Sequence, residues 1–287
     1  MVPILGGLGA ALSFTFSILF AARSSRLIGA PSTLAGAMSI GLAIALPIAL
    51  VTSPAPDLTP ATLGWAGLSG LGNVTGLLLI YTAYRLGTVG VISTIASTEG
   101  AIAAVIAVLA GEILAPGSGP VLGLIAVGVV LAASGGGDEE EEGVVIPRDR
   151  SIRAAVLAAG AALSFGVGLY AAGRVSELVP AAWAILPARV VGVAVVAIPL
   201  ASFGRIRITR RAWPYVIGVA LAELVGYVAF VIGARESIAV TAVLASMFAP
   251  LATVAAFVLF RERLGRRQVA GIVLVVVGVT ALGLLQS

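Results

Sequence analysis

Apolar residues run through this chain in long uninterrupted blocks separated by short polar breaks. Ten blocks can be marked, at roughly 3–22, 31–52, 62–84, 88–110, 118–134, 152–173, 179–201, 213–233, 237–260 and 267–285. Each is close to the about 20 residues a helix needs to cross about 30 Å of hydrocarbon. None alternates with period two as barrel strands do. Backbone groups in lipid must find partners within their own segment, so the pattern predicts an all-α integral membrane protein with ten transmembrane helices. The longest polar break carries the run Asp138 to Glu142 and is read as a solvated acidic linker over 135–150.

The blocks also repeat. Arg85 to Glu112 returns as Arg235 to Glu262, with Gly100 standing against Pro250 and Glu99 against Ala249. A-L-S-F at Ala11 to Phe14 returns at Ala162 to Phe165, and Gly76 and Gly128 return as Gly226 and Gly278. The echo predicts two five-helix halves, 1–134 and 151–287. Five is odd, so the second half enters the bilayer in the opposite sense, an inverted repeat of the kind that builds many secondary transporters. Because the first block matches the sixth, it is expected to be a retained helix rather than a cleaved signal; it also lacks a basic flank before the apolar run.

Composition strengthens the membrane reading and narrows the chemistry. Hydrophobic residues make up 60% of the chain and charged ones 10%, against about 45–50% and about 25% for a soluble domain. Lysine, histidine and cysteine are all absent. A structural zinc, iron–sulfur or haem site therefore lacks its usual ligands, and no cofactor or metal is expected. A Walker phosphate loop, a Schiff-base cofactor and a Ser-His-Asp nucleophile are missing their central residues too.

The formal charge of +4 rests on arginine, scattered between apolar spans, which reads as topology rather than a nucleic-acid surface. Breaks after the odd-numbered blocks hold Arg23, Arg26, Arg85, Arg148, Arg150, Arg153, Arg205 to Arg211 and Arg261 to Arg267. The other side holds Arg174 and Arg235. The excess predicts a multi-pass protein of the cell membrane with both termini outside the cytoplasm.

With these stretches in view, the chain resembles the EamA-type branch of the drug/metabolite transporter superfamily, whose half-repeat typically reads S-L-E-P-V-x-A-A-L-L-A-x-L-x-L-G-E-x-L before a glycine-rich last helix. Here Ser97 to Leu114 reads S-T-E-G-A-I-A-A-V-I-A-V-L-A-G-E-I-L. Ser246 to Leu264 reads S-M-F-A-P-L-A-T-V-A-A-F-V-L-F-R-E-R-L. The family's arginine-led second helix is matched by Pro187 to Leu200. The pattern departs at Gly100, where the proline is missing, at Ala249, where the glutamate is missing, and in the second block, which lacks the arginine. The resemblance implies a secondary-active exporter of amino acids or related small metabolites working by alternating access. It leaves the substrate open.

Ionisable side chains near the bilayer centre cost on the order of 3 kcal/mol and so should face a cavity or a partner. Glu99, Arg189 and Glu223 qualify. Helical spacing groups Glu99 with Ile92, Ile95 and Ile102, a face that suits a neutral carboxyl and hence proton coupling. The bland alternative is a hydrogen-bonded carboxyl that fixes packing. Glu223 shares a face with Tyr227 and Phe230, and its repeat partner is Asn73; an acid beside aromatics suits a cationic or amphipathic ligand. Arg189 is read as structural, pairing with Glu99 or snorkelling to an interface. Ser13, Ser164 and Ser97 are candidate solute contacts, each with a packing alternative. Gly100 and Pro250 are expected to loosen their helices. A small-molecule solute and the lipid bilayer are the partners implied, with oligomeric state left open. The competing functions are a multidrug or cationic-compound exporter, a non-transporting scaffold, and an intramembrane enzyme. The last is disfavoured because Asp57, Asp138 and Asp149 all lie in breaks.

Overall fold

The computed structural model describes residues 1–87, 89–133, 148–251 and 266–285, and among them there is no strand. The helices are α1 Val2–Ile28, α2 Ala30–Thr52, α3 Pro60–Ala83, α4 Val89–Ala96, α5 Glu99–Leu109, α6 Ser118–Ala133 and α7 Arg148–Leu178. They continue with α8 Ala181–Ala184, α9 Leu186–Gly192, a π-helical turn Val193–Ala197, α10 Ile198–Ser202, α11 Trp213–Ala234, α12 Ile238–Ala245 and α13 Arg266–Leu285. Residues 135–147 of the acidic linker, and the end of the ninth block with Glu262, lie outside the described residues; Arg148, Asp149 and Arg150, expected in that linker, instead form the first turn of α7, a polar extension of the sixth apolar block.

Among the described residues, seven helical segments are long and apolar enough to cross a membrane: α1, α2, α3, Val91–Leu109, α7, Ala181–Ser202 and α11. Their boundaries follow local rules. Pro3, Pro31, Pro60 and Pro214 sit in first turns, where the missing N–H is an orphan anyway. Gly29, at φ 86°, ends α1, its N–H bonded to the Ser25 carbonyl. Side-chain oxygens of Thr59 and Ser237 cap α3 and α12 by accepting from the amides of Thr62 and Val240. The π-helical turn lies just before Pro199, whose ring cannot tolerate the carbonyl four residues back, so the local ladder widens.

Leu5, Leu12, Phe16 and Leu19 are all exposed and form a helically spaced stripe along α1. The face is at rest only against lipid. The buried positions are instead rich in alanine, glycine and serine, which lets backbones approach closely in a solvent that gives no hydrophobic drive between helices.

Packing crosses between the two ends of the chain. α1 lies on α11 and α12, α7 on α3, α4 and α5, α2 on α9 and the π turn, and α6 on α13. Phe14 of α1 covers Gly226 of α11, where an added Cβ would stand 2.5 Å from the ring. Phe165 of α7 covers Gly76 of α3 at the same 2.5 Å.

The fourth block, expected as one helix, is two. The chain turns at Ser97–Thr98 between α4 and α5, and the ninth block turns likewise at Ser246–Met247 after α12. Hydropathy is blind to both breaks because their hydroxyls close on their own backbone. Ser97 Oγ donates to the Thr94 carbonyl at 2.7 Å, Thr98 Oγ1 to Ile95 at 2.8 Å, and Ser246 Oγ to Val243 at 2.7 Å. Non-helical backbone is tolerated at this depth only when enclosed by protein.

Candidate functional site

Where α1, α3, α7 and α11 meet the two breaks, they enclose a cavity lined by Phe14, Ser17, Ile18, Asn73, Leu77, Ile80, Tyr81, Glu99, Phe165, Leu169, Glu223, Tyr227 and Phe248. The space open to the centres of water-sized molecules is about 50 Å³, enough for a few waters. The walls are mostly apolar, with polar groups at a few points, as small-molecule sites generally are.

Glu223 sits midway along α11. Ser17 of α1 donates to its Oε1 at 3.0 Å, and Nη1 of Arg189 lies 4.0 Å from its Oε2. That spacing is beyond a hydrogen bond, so charge and burial hold the pair. Arg189 is wholly enclosed, at 0% exposure. Its guanidinium stands 5.4 Å from the Tyr227 ring centre, Nη1 reaches the Met38 sulfur at 3.7 Å, and Nη2 has no hydrogen-bond partner among the described residues. Gly41 makes the room: a Cβ there would stand 3.0 Å from Arg189 Cδ. The Tyr227 hydroxyl is held in turn by Ser69 at 3.0 Å.

Glu99 is the first residue of α5. A helix N-terminus carries partial positive charge from its unpaired amides, so the break places an acid where the backbone favours it. The grouping of Glu99 with Ile92 and Ile95 on one continuous face fails, since those residues belong to α4 on the other side of the break. Gly100, next in line, is a crossing point rather than a hinge. A Cβ there would collide with the Ala242 carbonyl and stand 2.7 Å from Ser246 Oγ.

Of the residues singled out from the sequence, Glu99, Glu223, Asn73 and Tyr227 line the one cavity. Asn73 Oδ1 has no hydrogen-bond partner among the described residues. Phe230 lies behind the cavity, its ring 6.3 Å from that of Tyr227. Ser13 and Ser164 do not line it. They sit at helix crossings, Ser13 Cβ 3.2 Å from a Cβ built on Gly226 and the Ser164 carbonyl 2.8 Å from one built on Gly72. Ser97 is committed to its own backbone, and Pro250 is buried in the turn of helix after the second break.

Arg189 neither pairs with Glu99 nor snorkels. It pairs with Glu223, because the crossing of α2 and α9 buries its stem too deeply to reach an interface. Ser17, Tyr81, Phe248 and Met38 escaped the sequence reading. Tyr81 lies two turns beyond Asn73 and Ser17 one turn beyond Ser13, so helical spacing from residues already marked would have found both. Among the described residues no cluster of three acidic side chains is placed to hold a metal ion.

A second, polar recess of about 160 Å³ is lined by Glu112, Tyr170, Arg174, Glu177, Arg235, Glu236 and Ser237, with neighbouring backbone. Glu112 there caps α12. Its Oε1 accepts from Ser237 Oγ at 2.6 Å, and both its oxygens accept from the Ala239 amide at 3.2 Å. Arg174 pairs with Glu177 at 2.8 Å and lies 5.9 Å from the Trp65 ring centre, while Arg235 donates to the Val179 carbonyl at 2.7 Å. Replacing Glu112 by Ala removes the acceptor of the Ala239 amide and leaves Ser237 on the Val240 amide. Amide exchange at Ala239 is expected to speed up by about tenfold, one charge-assisted hydrogen bond's worth; unchanged protection there would remove Glu112 from this role.

Comparison with known proteins follows the same lines. Residues 152–284 match the EamA-like transporter family. A solved structure, titled only as the crystal structure of a protein, superimposes with a TM-score of 0.73 at 19% identity, over 99% of this chain and 96% of the other. That likeness speaks for the fold alone. No curated protein matches the sequence. The second part of the chain, residues 152–284, is thus what carries the likeness to the EamA-like transporter family, a family of the drug/metabolite transporter superfamily.

Proposed function

We propose that the chain is a secondary-active transporter of small organic solutes, moving them through the central cavity by alternating access between two five-helix halves, 1–134 and 151–287. One observation carries the reading: a cavity deep in a bundle of membrane-length helices is lined from both halves and contains two carboxylates, Glu99 and Glu223. An acid at that depth is costly unless it serves a partner or a passing ligand. The exchanged Phe14–Gly226 and Phe165–Gly76 contacts, and the matching breaks after Ala96 and Ala245, support an inverted repeat of ten transmembrane helices. Discontinuous helices at the interface of two such halves are where transporters of this kind place their sites.

The direction proposed is export and the coupling is to protons, as suits a carboxyl facing the cavity. Amino acids or related metabolites are the solutes that the family resemblance implies. The arginine excess supports an orientation with the breaks after odd-numbered blocks in the cytoplasm and both termini outside, in the cell membrane. Reconstituted into vesicles, the protein is expected to drive labelled amine or amino-acid flux when a pH gradient is imposed, with loss of flux on adding a protonophore. Folded protein that moves no solute under any gradient would overturn the reading. The native chain has no cysteine, so Asp57→Cys and Arg205→Cys can report sidedness. An impermeant maleimide should reach the first from outside intact cells and the second only after permeabilisation; labelling of both from one face would overturn the orientation.

A further inference from the structure

We propose that the central cavity selects an organic monocation, a protonated or quaternary amine on an apolar or aromatic body, and that this ligand and a proton exclude each other at Glu99. The inference rests on the transport reading above and narrows its solutes to amines, setting aside the zwitterionic amino acids that the family resemblance implies.

The charge count comes first. Two carboxylates, Glu99 and Glu223, face the cavity, and among the described residues no basic side chain lines it. Arg189 stands outside the lining beside Glu223, with its guanidinium over the Tyr227 ring, so among the described residues one carboxylate has a cationic neighbour and the other has none. Among the described residues, Glu99 has the positive end of α5 as its electrostatic support. The cavity it faces is lined by Tyr81 and Asn73 of α3, Glu223 and Tyr227 of α11, Ser17 of α1, and Phe165 and Leu169 of α7; Tyr84, just past the end of α3, is also near it, and Arg189 of α9 stands beside Glu223. Of these charged and titratable groups only Arg189 is a cation, and it is engaged by Glu223.

The neutral polar groups point the same way. Asn73 Oδ1 is buried and without a hydrogen-bond partner among the described residues, an acceptor waiting for an N–H. The rings of Phe14, Phe165, Phe248, Tyr81 and Tyr227 form the walls, and aromatic faces attract a desolvated cation. A zwitterionic amino acid would bring its carboxylate into this acceptor-rich space, where among the described residues no basic side chain lines the wall to receive it. An organic anion would fare worse. An uncharged sugar would leave the unbalanced carboxylate as it was.

The unbalanced charge in a low-dielectric site is neutralised by one proton or by one monocation. Binding of the cation therefore releases a proton, and loss of the cation takes one up, which is exchange in a one-to-one ratio with no electrical imbalance left in the site.

The test uses the purified full chain in lipid nanodiscs and three probes of similar shape: phenethylamine, phenylalanine and 3-phenylpropionate. Calorimetry should show saturable binding of the amine alone. Its affinity should fall by up to about tenfold per pH unit on acidification, as one released proton demands, with proton release visible as a buffer-dependent heat. Glu99→Gln should abolish that pH dependence and weaken the amine at least about tenfold, while Glu99→Asp should retain the pH dependence.

Binding of phenylalanine or phenylpropionate as tightly as the amine, binding of none of the three, or a pH-independent amine affinity in the native chain would each overturn the proposal. If Glu99→Gln does not fold, the native protein's proton release and the probe series still decide. Amine binding without vesicle flux would leave this inference standing and defeat the transport reading. Flux of a zwitterion would do the reverse.

Discussion

Arg189→Met is expected to unfold or aggregate in detergent well below the temperature the native chain withstands, and a second change, Glu223→Gln, is expected to restore most of the loss. The reason lies in what remains after the first change. Glu223 is almost fully enclosed, and Arg189 is its cationic neighbour among the described residues. Removing one member of a buried pair costs about 3–5 kcal/mol, because the survivor keeps its desolvation penalty and loses its compensation. Removing both charges leaves a glutamine that can still accept from Ser17, beside a methionine that fills part of the guanidinium's stem space against Met38 and Gly41. Thermal aggregation followed by size exclusion measures all three proteins side by side. If Arg189→Met alone were as stable as the native chain, the pair would be a coincidence of geometry rather than a member of the core.

The second large effect is expected at Gly100, where even Gly100→Ala should lower stability measurably and Gly100→Val should abolish folded yield. The new Cβ would meet the Ala242 carbonyl and the Ser246 side chain, and backbone cannot step aside as a flexible side chain can. Forcing extra atoms into a tight interior contact typically costs about 1–3 kcal/mol, and here the contact ties α5 to α12. A control at Gly119, where an added Cβ meets nothing within 4 Å, should be tolerated. Equal tolerance at both positions would mean that the two helices do not cross at Gly100.

What could be read from the sequence, and what could not, divides along physical lines. Glu99 and Glu223 stood out because a charge inside twenty apolar residues is expensive and therefore rare. Asn73 emerged through its match to Glu223, and the side of Gly76 and Gly226 through their shared place in the repeat. The break before Glu99 left no trace in the apolar pattern, since serine and threonine that satisfy their own backbone look like ordinary helix residues. Arg189 was found but its partner was misassigned: which acid it meets depends on how α2, α9 and α11 cross, and spacing along the chain does not encode that. Ser17, Tyr81 and Phe248 are unremarkable in composition. They matter only because three distant helices bring them to one wall.

The hydroxyl closures at the two breaks carry an evolutionary consequence. The carbonyls of Thr94, Ile95 and Val243 are already occupied by Ser97, Thr98 and Ser246, so these main-chain acceptors are withheld from a passing solute. Preference is then written in replaceable parts: an asparagine, two acids and a ring of aromatics. A lineage can retune what it carries by exchanging one of those side chains at a time, while the folded frame that lets the halves move is inherited intact.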